Sequence, residues 1–132
     1  MTSGTLPQEK PCTHGSRIHR LEAGGFVFTE ARYAPGHRVP RHEHERPSLT
    51  LVLAGGFTES FDARAYDCGR DALLAKPPDA AHRNRYGPAG AHCLIVEVLP
   101  ARWQALPPGA QRSLDRVALS HRGAAAALAR RM

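Results

Sequence analysis

The densest ligand chemistry in the chain lies between Gly36 and His44, which reads Gly-His-Arg-Val-Pro-Arg-His-Glu-His. In an extended strand successive side chains point to opposite faces. His42 and His44 therefore share a face, about 7 Å apart at a rise of roughly 3.3 Å per residue. Two imidazoles at that spacing can grip one cation if a third donor arrives from elsewhere. His82 is the candidate: it follows Lys-Pro-Pro-Asp-Ala-Ala, precedes Arg-Asn-Arg, and lies 38 residues beyond His44. Three neutral imidazoles suit a divalent ion of zinc, nickel, iron or manganese and leave positions open for a small molecule. Glu43 and Glu45 alternate with the pair and should point away from it.

Positioning these donors is the work of short strands. Ser16 to Glu22 alternates weakly and reads as a first strand, Gly24-Gly25 as a turn, and Phe26 to Tyr33 as a second strand rich in β-formers. Ala34-Pro35-Gly36 breaks it, and Pro40 suits an edge or a strand start because proline donates nothing to a ladder. Ser48 to Ala54 is strongly apolar, Gly55-Gly56 gives a hairpin signal, and Phe57 to Phe61 returns. Ala65 to Cys68, Ala72 to Ala75 and Ala81 to Tyr86 follow as short strands. Gly87 to Gly90 reads as a loop, and Ala91 to Leu99 as a long central strand. Turns every eight to twelve residues are the mark of a small sandwich or barrel. The hairpins between His44 and His82 would bring their two strands face to face.

After Pro100 the pattern changes. Ala101 to Leu106 suits one helical turn, Pro107-Pro108-Gly109 a break, and Ser113 to Leu119 a short helix. Strong helix formers run from His121 to Met132. The expected organisation is a disordered lead over 1–15, a β-barrel over 16–100, and a helical tail or linker over 101–132.

Composition narrows the classes. At 132 residues the chain suits one domain with a real core. No apolar run approaches the roughly 20 residues of a membrane helix, and residues 1–14 lack a signal-peptide pattern. Cys12, Cys68 and Cys93 form an odd set without paired spacing, which fits a reducing cytoplasm and small buried thiols. The net charge of +6 is concentrated at the end. Residues 1–100 hold twelve Lys and Arg against eleven Asp and Glu, whereas 101–132 hold six Arg against one Asp. A basic helical tail can touch nucleic acid or an acidic partner, but those arginines read first as the solvated face of an amphipathic helix.

The ordered set of Gly36, His42, His44, a closing glycine at Gly55-Gly56, then Pro77 and His82 resembles the two motifs of the cupin superfamily. The resemblance implies an all-β double-stranded β-helix, a jelly-roll barrel, here with a short C-terminal helical tail. Three positions depart from the pattern. Ser48 stands where the first motif carries a glutamate ligand, Asp79 where the second carries glycine, and Tyr86 where the second carries asparagine. The metal set implied is then His42, His44 and His82 alone. Ser48 should face the same interior, with Thr50 and Val52 behind it and Leu49, Leu51 and Leu53 on the other side. Ser48 and Thr50 thus become candidate ligand-binding residues.

From Glu30 to Met132 the chain also resembles the N-terminal sensor domain of AraC-type transcriptional regulators, without the helix-turn-helix part. That resemblance implies a cupin that binds a small molecule, dimerises, and connects through a linker helix to DNA-reading units. The chain alone should then bind no specific DNA. The competing reading is a small metal-dependent enzyme, a dioxygenase or isomerase working from the three-histidine site.

Overall fold

The computed structural model describes residues 15–121. Its strands in chain order are β1 (Ser16–Ala23), β2 (Phe26–Tyr33), β3 (Arg38–His42), β4 (Ser48–Ser60), β5 (Ala65–Cys68), β6 (Leu73–Lys76), β7 (His82–Val98) and β8 (Ala118–Ser120). Two short helices, α1 (Pro100–Ala105) and α2 (Pro108–Ser113), precede β8. The strands form one antiparallel sheet in the order β1-β2-β7-β4-β6-β8, with β3 on β7 and β5 on β4. Among the described residues no helix is long and apolar enough to cross a membrane. Residues 1–14 of the expected lead over 1–15, and the helix expected beyond residue 121, lie outside the described part.

β4 and β7 organise the fold. One half of β7 pairs with β3 and with Phe57–Ser60 of β4; the other pairs with β2 and with the first half of β4. Gly55-Gly56 is therefore not the hairpin turn its composition suggests, and Gly87–Gly90 is not a loop. Both lie inside long strands, at register shifts between Val52 and Ala54 and between Gly55 and Phe57. Such bulges bend a strand without ending it. Gly55 has φ +72, and a Cβ there would sit 2.1 Å from the carbonyl oxygen of Gly90, itself at φ +69. Only glycine fits so close a crossing with a left-handed backbone. Gly55→Ala should lose more than about 1 kcal/mol of stability in urea denaturation. A loss within about 0.5 kcal/mol of zero, the scatter of ordinary surface changes, would show that the crossing has slack.

The bend lets both halves of β4 and β7 face one interior. Its apolar lining includes Ala31, Tyr33, Val52, Phe57, Leu74, Tyr86, Cys93 and Ile95. Cys68 and Cys93 are buried free thiols, as expected. A second cluster, built on Ala75, Val98 and Leu114, packs with Phe26, Leu49, Trp103 and Leu106 beneath the two short helices.

The tail departs from expectation. Pro108 opens α2 instead of breaking the chain, in keeping with the preference of proline for the first helical turn, where its missing N–H is no loss. The helix expected from Ser113 to Leu119 is absent. Ala118–Ser120 instead pairs with β6, Leu119 opposite Leu74, and Val117 and Leu119 pack on the main core. Contact with the core outweighs the helix propensity of so short a segment.

Candidate metal centre

His42 ends β3 and lies directly opposite His82, the first residue of β7. The irregularity between Val39 and His42 contains Pro40, which could not have continued the ladder. His44 stands two residues past the end of β3, so the segment after the strand, not the strand itself, places it beside His42. The backbone N–H of Asp79 donates to the carbonyl of His44 at 2.8 Å and ties this segment to the approach to β7. Asp79 has φ +63, the left-handed conformation that explains why glycine suits that place in the motif.

The three imidazoles converge. Their candidate ligand nitrogens all lie within 4.8 Å of one another. Ring centroids are 4.8 Å apart for His42 and His44, 4.3 Å for His42 and His82, and 5.4 Å for His44 and His82. His82 is buried and the other two are half-buried; Glu43 and Glu45 face solvent, as their alternation predicts. Nδ1 of His42 lies 2.7 Å from the carbonyl of Pro40, and Nδ1 of His82 lies 2.7 Å from that of Ala80. An imidazole that donates from Nδ1 carries its lone pair on Nε2, and this anchoring fixes ring and tautomer in the way metal-binding histidines need. Burial pushes the pKa of His82 down to about 4, with the Lys76 ammonium acting the same way and Glu59 against it. His82 is therefore a neutral donor at neutral pH.

Ser48 and Thr50 are buried and line the same cavity as the histidines, and Leu49 packs on the opposite side in the outer cluster. Glu43 and Glu45 point away from the triad, and the structure supplies a different carboxylate that faces inward. Glu59, 2% exposed, accepts a hydrogen bond from Asn84 Nδ2 at 2.6 Å, and its two carboxylate oxygens lie 3.1 and 3.3 Å from Lys76 Nζ. All three line the cavity. Burial raises the Glu59 pKa, but Lys76, His82 and Asn84 outweigh it and hold the carboxyl below its ordinary range. Phe57, Glu59 and Phe61 alternate, as do His82, Asn84 and Tyr86, but alternation alone does not say which face is turned inward.

Arg46 and Glu97 form a second pair on the wall at 3.6 Å. The free space among these groups is about 30 Å³. At roughly 10–15 Å³ per water-sized position, it takes two or three small atoms and excludes a bulky ligand in this conformation. The arrangement can hold a cation on three nitrogens beside a buried carboxylate and a buried ammonium.

The bent antiparallel barrel that holds the three histidines has the fold of solved cupin structures. A cupin-2 domain protein from Shewanella frigidimarina is 16% identical with a TM-score of 0.56, covering 65% of this chain and 82% of its own. A cupin protein from Bacteroides fragilis is 18% identical with a TM-score of 0.53, covering 70% and 84%. KdgF from a Halomonas species is 13% identical with a TM-score of 0.53, covering 67% and 84%. No protein-family model matches the sequence, and no curated protein is significantly similar to it. At these identities the likeness carries the fold, an all-β cupin barrel with short C-terminal helices, and nothing finer.

Proposed function

We propose that this chain is a metal-binding cupin in which His42, His44 and His82 hold one divalent ion of zinc, nickel, iron or manganese. A small molecule then binds beside it against Ser48 and Thr50. The observation that carries the reading is the pair of Nδ1-to-carbonyl hydrogen bonds on His42 and His82, which set two rings in the donor tautomer. A cation bound there supplies Lewis-acid polarisation of an oxygen ligand. The chain's own part is to orient the three nitrogens, exclude water with walls such as Phe57 and Tyr86, and keep Glu59 and Lys76 charged nearby.

For the use of the bound ligand we favour sensing, as in an AraC-type regulator, with the chain acting as a cytoplasmic homodimer. Its support is the pairing of β8 with β6, because β6 carries Lys76 into the cavity and β8, the last strand among the described residues, lies directly beside it. A second copy has an edge to cover: β1 is exposed at all eight positions, Leu21 to 62%. The enzyme reading, a dioxygenase or isomerase, is supported by Glu59, a buried carboxylate that could move a proton. Consumption of ligand by metal-loaded protein would decide for the enzyme, and helix-turn-helix units encoded in frame after Met132 would decide for the regulator.

The metal centre is tested first. Protein made without a chelating tag should carry about one divalent ion per chain by elemental analysis. His82→Ala should weaken metal uptake at least about a hundredfold by competition with a fluorescent chelator, since losing even an outer partner of a ligand costs about 10–100-fold. Affinity unchanged by His82→Ala would remove the site.

A further inference from the structure

The charged side chains lining the cavity cancel. Arg46 is matched by Glu97 and Lys76 by Glu59, and neutral imidazoles add nothing. A divalent ion on the three histidines, the premise taken from the proposed function, would therefore leave the interior with two uncompensated positive charges. Net charge away from water is costly and draws a counter-ion. The position from which the cupin pattern would supply a carboxylate holds Ser48, a neutral hydroxyl.

Ser48 is also where the strands set a neutral hydroxyl beside a buried ammonium. It lies directly opposite Lys76 of β6 on one side and Glu97 of β7 on the other, and all three line the cavity. Lys76 carries three N–H donors, Ser48 can donate one, and the space of about 30 Å³ limits what they can hold. A planar carboxylate head with two oxygens suits two or three water-sized positions; a phosphate with four oxygens does not.

We propose that the cupin takes a small carboxylate anion at the cation, with its head group held by Ser48 Oγ and Lys76 Nζ, so that an external acid supplies the charge this chain's own sequence omits. Ligands of this class are short-chain acids that present one unhindered carboxylate. Metal and anion bind with positive linkage, each raising the affinity of the other.

Cobalt(II) is the probe, because its visible absorption reports its own coordination. In chloride-free buffer, cobalt-loaded protein titrated with formate or acetate should show a saturable spectral change. Neutral acetamide and inorganic phosphate should leave the spectrum as it was. Ser48→Glu should bind cobalt more tightly and lose the formate response, because the carboxylate is now internal. The double variant Glu59→Gln with Lys76→Met removes the ammonium without stranding a buried carboxylate. It should take up cobalt and bind formate at least about tenfold more weakly, having lost a charge-assisted contact. Cobalt uptake with no response to formate or acetate overturns this inference and leaves the metal centre standing. A response to phosphate equal to that of formate, or full formate affinity in the double variant, also overturns it. Failure to take up cobalt at all overturns the metal centre and this inference together.

Discussion

Glu59→Ala should cost about 3–5 kcal/mol of folding stability, the range seen when one member of a buried ion pair is removed. The reason is Lys76, whose ammonium is almost wholly buried and would lose its carboxylate partner at 3.1 Å. Asn84 would lose the acceptor of its 2.6 Å hydrogen bond in the same step. Replacing both partners by neutral residues of similar shape, Glu59→Gln with Lys76→Met, should be far milder, because neither charge is then desolvated alone. Urea denaturation of the two variants decides the matter. A Glu59→Ala loss below about 1 kcal/mol, the range of exposed pairs, would mean that the interior is wet enough to solvate the lysine.

Metal-free protein should lose about 3 kcal/mol of stability between pH 7 and pH 4 through His82 alone. Burial, assisted by Lys76, holds this imidazole at a pKa of about 4 against an ordinary 6.5. Below pH 6.5 the unfolded chain takes up a proton that the folded chain refuses, so stability falls with pH across that window. It levels off below about pH 4, where both states are protonated. Glu59, with its lowered carboxyl pKa, adds a loss of the same sign at the acid end. The His82→Gln variant isolates the effect: its stability should fall less steeply between pH 6.5 and pH 4 than that of the parent. Equal slopes, or a His82 that titrates near 6.5 by NMR, would show that the ring is hydrated.

The histidine triad was legible because ligand spacing is local: His42 and His44 declare themselves within three residues, and His82 follows a proline-rich turn. The Glu59, Lys76 and Asn84 network was not, because its inward phase depends on bulges that sequence alternation does not count. In β4 the inward positions before the bend are Ser48, Thr50 and Val52, and after it Phe57 and Glu59. In β7 they pass from His82, Asn84 and Tyr86 to Ala91, Cys93, Ile95 and Glu97. Even numbers become odd in both strands near their crossing, since each shift of one residue exchanges the faces. Reading Gly55-Gly56 as a hairpin and Gly87–Gly90 as a loop concealed that continuity. The tail misled for a different reason. Residues 113–119 have no strong strand pattern of their own, and only the exposed edge of β6 makes Ala118–Ser120 a strand.

The place of β7 in the sheet bears on how the chain acquires its shape. It pairs with β2, β3 and β4, yet it is the seventh strand to be synthesised. The partners Phe26 and Val98 are separated by 72 residues, so the ends of a long loop must meet before those hydrogen bonds form. Contacts of such high order make for slow folding, on the millisecond-to-second scale of β-barrels. On the ribosome, six strands must wait without the seventh, their edges and His42 and His44 exposed, until His82–Val98 emerges. A chain stopped at residue 81 should therefore show no cooperative unfolding transition by circular dichroism. A sharp transition in that fragment would mean that the earlier strands make a core without their central partner.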